Sequence, residues 1–175
     1  MAQPSKQQST QQSLALLRDS LNEAQATVRA YDTKAQIVGV GYIFALRVVG
    51  GFEKWIPETA DMNPVVHTLI AWGVVILPIV LFGYVLYPSR KMAPRLATKP
   101  GTTLEHVLYV DPNKLGSVEE LTSAATRSDP VNEVSFELLK VSSLRELKRI
   151  RFLRALFAAG FCFAVIFVSH LTRSL

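Results

Sequence analysis

Apolar positions are not spread evenly along this chain. They gather into three runs, Ile37–Phe52, Val65–Leu86 and Ala155–Ser169, with polar sequence before, between and after them. A helix rises about 1.5 Å per residue, so roughly 20 apolar residues cross a hydrocarbon layer of about 30 Å. Each run is close to that length. The pattern predicts an all-α membrane protein: an N-terminal amphipathic helix, three transmembrane helices, and a small cytoplasmic insert between the second and third spans.

The boundaries follow from local signals. Residues 1–12 are polar and rich in Gln and Ser, and they read as a disordered tail rather than a secretory signal. From Ser13, Leu14, Leu17, Leu21, Ala24, Val28 and Tyr31 recur at intervals of three and four. This predicts an amphipathic helix over 13–34, whose apolar seam packs either on the rest of the chain or on a second copy. With no Pro or Gly between Leu14 and Val38, the helix is expected to run directly into the first span, 35–56.

That span contains Arg47, about 18 Å along the helix from Ala35, where it either snorkels to the outer surface or faces another helix. Pro64 opens the second span, 64–87, which is free of charge throughout. Pro78 inside it leaves the Val74 carbonyl without its helical donor and should kink the helix. His67 is a lone histidine at its start, not a ligand set.

The insert, 88–129, begins with Arg90, Lys91, Arg95 and Lys99 and continues through Leu104–Val110, a short extended segment by its β-branched and aromatic content. Ser117 and Glu120 form a capping box for a helix ending near Thr126. Asp129–Pro130 then starts a long helix, with an amphipathic part over 130–151 and the third span over 152–171. Val134, Leu138, Val141, Leu144 and Leu147 make its apolar face, and Lys140, Arg145, Lys148, Arg149 and Arg151 lie on the other.

Charge orients the chain. It carries a formal +5 with 49% hydrophobic residues. Lys and Arg crowd the insert and the helix before the third span, whereas the first connector has only Lys54. The positive-inside rule therefore places the N-terminus and the insert in the cytoplasm of a multi-pass inner-membrane protein. The basic residues flank apolar spans instead of forming a separate domain, which disfavours nucleic acid as a partner. No phosphate loop, nucleophile elbow or zinc spacing is present, so no enzyme, catalytic residue, metal or cofactor is expected. Cys162 is the single cysteine and lies within the third span. Gly41 with Ala45, Ala155 with Ala159 and Gly160 with Ala164 are small pairs four apart, suited to close helix contact and to a homo-oligomer.

The stretch Ala30-Tyr31-Asp32-Thr33-Lys34-Ala35, at the start of the first span, resembles the Asp-x-Lys-Ala element of transmembrane effectors from bacterial Pycsar antiphage systems. Tyr87-Pro88 after the second span, Val107-Leu108-Tyr109-Val110 in the insert and the basic helix Leu138–Arg154 fit the same order of parts. Arg47, and the lack of a Lys-Tyr pair before the last span, set this chain apart.

The resemblance implies an antiviral effector of abortive infection. A partner pyrimidine cyclase makes cyclic UMP or cyclic CMP, and the effector answers by disrupting the inner membrane. Asp32, Lys34 and Ala35 would be the family element. Candidates for the nucleotide are Lys34, Arg145, Lys148 and Arg149 for its phosphate and Tyr109 for stacking on its base; each cation is more simply read as an interfacial or surface charge, and Tyr109 is more commonly a core ring. Asp32 is also expected to pair along its own helix with Arg29. A constitutive membrane adaptor and a holin-like toxin without nucleotide control are the competing readings.

Overall fold

A computed structural model of the protein describes residues 6–49, 63–87, 104–108 and 116–174. They form four helices: α1 (Lys6–Val49), α2 (Pro64–Leu86), α3 (Val118–Arg127) and α4 (Pro130–Ser174). No strand occurs among the described residues. The described part of the expected extended segment, 104–108, is irregular and not a strand, with a turn at 107–108 and φ 55° at His106. Tyr109 lies outside the described residues.

The two long helices are continuous, as the absence of breakers predicts. α1 begins at Lys6, so the polar 6–12 stretch, expected to be part of a disordered tail, is helical instead. The starts of α2, α3 and α4 are capped, those of α3 and α4 by the residues the sequence predicts. Asn63 Oδ1 accepts from the Val65 amide at 2.9 Å. Ser117 Oγ accepts from the Glu120 amide at 3.1 Å, and Glu120 Oε2 accepts in return from the Gly116 amide at 2.9 Å. Asp129 Oδ1 accepts from the Val131 amide at 3.0 Å, one residue past Pro130. These bonds satisfy amides that the helix itself leaves open.

The chain divides into two compact units. The first takes α1 up to Val28, α3, and α4 up to Glu146. Ala24, Ala124, Val134 and Val141 are buried there. Leu14, Leu17, Leu21 and Val28 are half-buried within the single chain, so intramolecular packing covers much of the α1 seam.

The second unit takes α1 from Arg29, α2, and α4 from Leu147. Its core is one cluster fed by all three helices: Ala35, Tyr42 and Leu46 of α1, Val75, Phe82 and Val85 of α2, and Ala155, Ala159 and Ile166 of α4. Alanine at the contacts lets the backbones approach closely. A Cβ on Gly39 would stand 3.4 Å from the Phe82 Cβ, whereas Gly41 and Gly160 face open space. Cys162 is buried among the helices.

Outside this cluster the three helices expose Ile37, Phe44, Leu69, Val80, Phe157 and Phe161. α2, and α4 within Pro130–Ser169, are long and apolar enough to cross a membrane. The apolar run of α1 is interrupted by Arg47, which is exposed, and reaches the last described residue of the helix at Val49.

Candidate functional site

Several polar groups of the second unit gather where α1 and α4 begin their apolar runs. Asp32 of α1 and Lys148 of α4 form an ion pair across 116 positions of sequence. This replaces the expected pairing of Asp32 with Arg29. The Lys148 side chain is 7% exposed and that of Asp32 33%. Lys148 thus sits on the inside of the unit, not on a solvated basic face. Its ammonium is paired with a carboxylate.

One turn further along α4, Arg151 is also buried, again contrary to the amphipathic reading. Its guanidinium carbon lies 4.0 Å from the centroid of the Tyr84 ring. One amino group donates to the Tyr84 hydroxyl at 3.2 Å and the other to the Tyr84 carbonyl at 3.4 Å. A cation over a tyrosine face, with two hydrogen bonds to the same residue, fixes both partners.

Lys148 and Arg151 are three residues apart, so they share a face of α4 and reach two different helices. Phe152 follows immediately, 6.0 Å from the Tyr31 ring and 6.3 Å from Phe82. Lys34 is exposed, with its Nζ 5.8 Å from the Tyr31 ring centre. Ala35, the last residue of the family element, is buried in the core.

Arg149 is exposed on α4 of the same unit, and Arg145, also exposed, belongs to the first unit. The structure brings Asp32 and Lys148 together and buries Ala35.

Deeper in the second unit, Tyr42 donates its hydroxyl to the Val74 carbonyl at 3.3 Å. This is the carbonyl that Pro78 deprives of a helical amide. An apolar cleft of about 450 Å³ lies beside it, lined by Val38, Gly41, Tyr42, Leu156, Gly160 and Phe163 among others. With almost no polar lining, it suits a hydrocarbon chain and not an anion.

The first unit holds two carboxylates that the sequence reading missed. Glu133 accepts from three successive backbone amides: Glu105 at 2.7 Å and His106 at 3.1 Å on Oε1, and Val107 at 3.2 Å on Oε2. The positive φ of His106 turns these amides toward one anion. The His106 ring also packs edge-on against Phe136, at 5.2 Å. Arg127 pairs with Glu105 at 3.4 Å.

Glu137 is 2% exposed, and its Oε1 meets Lys140 at 3.4 Å. Its Oε2 has no hydrogen-bond partner. A signal for both acids was present: they are four apart and interleave with Val134 and Val141 on the buried stripe. Arg151 and Tyr84 carried a weaker one, an arginine one turn past Lys148 and a tyrosine near a span end.

No group of three or more metal-binding side chains occurs among the described residues. Comparison of the chain with protein families, with characterised proteins and with solved structures finds no match.

Proposed function

We propose that this chain is a three-span inner-membrane effector with a cytoplasmic N-terminus. On this reading it responds, as a homo-oligomer, to cyclic UMP or cyclic CMP from a partner cyclase by breaching the membrane. The observation that carries the reading is the Asp32–Lys148 pair. It links the two sequence elements on which the Pycsar resemblance chiefly rests, the Asp-x-Lys-Ala stretch and the basic helix leading into the last span.

Two further features support it. Two helices qualify by length and composition for a membrane, and the α1 run packs with them in one unit while exposing Ile37 and Phe44 outward. A lipid-facing surface of that kind is what a span requires. For the nucleotide phosphate, Lys34, Arg145 and Arg149 are the exposed cations among the candidates. Lys148 takes part only if it leaves Asp32.

The test is direct. Purified full-length protein in nanodiscs is titrated with labelled cyclic UMP, CMP, AMP and GMP, and cells expressing it are followed for dye uptake with and without a pyrimidine cyclase. The expected result is binding selective for a cyclic pyrimidine and dye uptake that requires it. Toxicity independent of any nucleotide would identify a holin-like toxin. A tight membrane with nucleotide bound would identify an adaptor.

A further inference from the structure

We infer that the Asp32–Lys148 ion pair is an autoinhibitory latch, which holds the first and last spans in their tight arrangement and whose opening makes the membrane leaky. The inference rests on the membrane-disrupting function proposed above and assigns the regulation to a named contact.

Three observations carry it. First, the pair is asymmetric. Lys148 is buried, while a third of the Asp32 side chain is open to solvent. Asp32 is therefore reachable from outside the unit, but the charge it neutralises is not. Second, a buried ammonium that loses its carboxylate cannot remain where it is, because an unpaired buried charge is strongly unfavourable. Lys148 must move to water or take another anion, and either response ends its tie to α1. The contact thus has two discrete states, as a switch requires.

Third, the neighbouring contact is independent of the first. Arg151 ties α4 to α2 through the Tyr84 ring, hydroxyl and carbonyl. Opening at Asp32 would remove the ionic tie of α1 to α4 while α4 and α2 stay joined. What then holds α1 is the apolar core, into which Tyr42 and Leu46 pack, and the Tyr42 hydroxyl on the Val74 carbonyl, so a shift of α1 works against those contacts alone. An α1 that slides or tilts away would open a path along the face it now covers.

The experiment uses the full chain in cells without any cyclase, at matched membrane levels. Asp32→Asn and Lys148→Gln are expected to raise dye uptake severalfold over wild type. The exchange Asp32→Lys with Lys148→Asp is expected to return it to the wild-type level. A Cys162→Ala background carrying Asp32→Cys and Lys148→Cys is expected to leak, and a short bismaleimide joining the two thiols is expected to seal it again. Damage from misfolding would not be reversed by a crosslink.

Wild-type tightness in both single variants, or leakage that persists after crosslinking is verified, would overturn the latch. None of these readouts needs nucleotide. A wild-type chain indifferent to every cyclic nucleotide would sink the messenger reading alone and leave the latch to its own variants.

Discussion

Tyr42 shows how one side chain repairs a defect written elsewhere in the sequence. Pro78 has no amide to give Val74. The Tyr42 hydroxyl replaces it from another helix. Tyr42→Phe should therefore cost roughly 0.5–1.5 kcal/mol, the usual net worth of such a bond. Pro78→Ala restores the missing amide, so in that background the same Tyr42→Phe change should cost less than half as much. Unfolding in detergent of the four proteins in this cycle measures the coupling. Equal costs in both backgrounds would show that the hydroxyl does not serve Val74. Glu137 poses the opposite problem. Its Oε2 is buried without a donor, a situation that costs about 1–3 kcal/mol or more for a charged group. Glu137→Met removes the orphan, and Lys140, a third exposed, can return to water. The expected outcome is a higher melting temperature by circular dichroism. A lower one would mean that the carboxylate has a partner worth keeping.

Glu133 works on a whole segment rather than a single bond. Its carboxylate gathers the amides of residues 105–107 onto the first turn of α4. Glu133→Ala leaves three amides without an acceptor and should destabilise the segment by roughly 2–3 kcal/mol, less than the sum of three charge-assisted bonds because they act together. Hydrogen exchange at 105–107 should rise sharply in Glu133→Ala and by less in Glu133→Gln, which keeps one acceptor oxygen. Exchange unchanged in both would refute the anchoring role. Helices and caps were legible because they are local: Ser117 with Glu120, Asp129 with Pro130, and the lack of Pro or Gly from Leu14 to Val38 act within a few residues of themselves. The burial of Lys148 and Arg151 was not legible, since a basic stripe reads as a solvated face until its partners are placed. Those partners, Asp32 and Tyr84, are 116 and 67 positions away. The shape of 104–108 was not legible for the same reason. The β-branched and aromatic content of Leu104–Val110 suits a strand, while Glu133, 26–28 residues on, draws the amides of 105–107 onto one carboxylate.

For the molecule as a whole, the decisive question is whether α1 crosses the membrane alongside α2 and α4. Composition leaves it the weakest of the three, because Arg47 interrupts its apolar run. Packing argues for the crossing. Ala35, Tyr42 and Leu46 share one core with residues of α2 and α4, and Ile37 and Phe44 face outward, where water would penalise them. Charge sets the direction: the insert and the following helix are rich in Lys and Arg, and the connector after α1 has only Lys54. Single cysteines at Gln8, Thr59 and Ser123, in a Cys162→Ala background, turn this into a measurement. In intact spheroplasts a membrane-impermeant maleimide should label Thr59→Cys at once. It should reach Gln8→Cys and Ser123→Cys only after the membrane is opened. Labelling of Gln8→Cys and Thr59→Cys from the same side would show that α1 lies along the surface. The Asp32–Lys148 pair would then join a surface helix to a spanning one, and its role as a latch between two spans would fall with the third crossing.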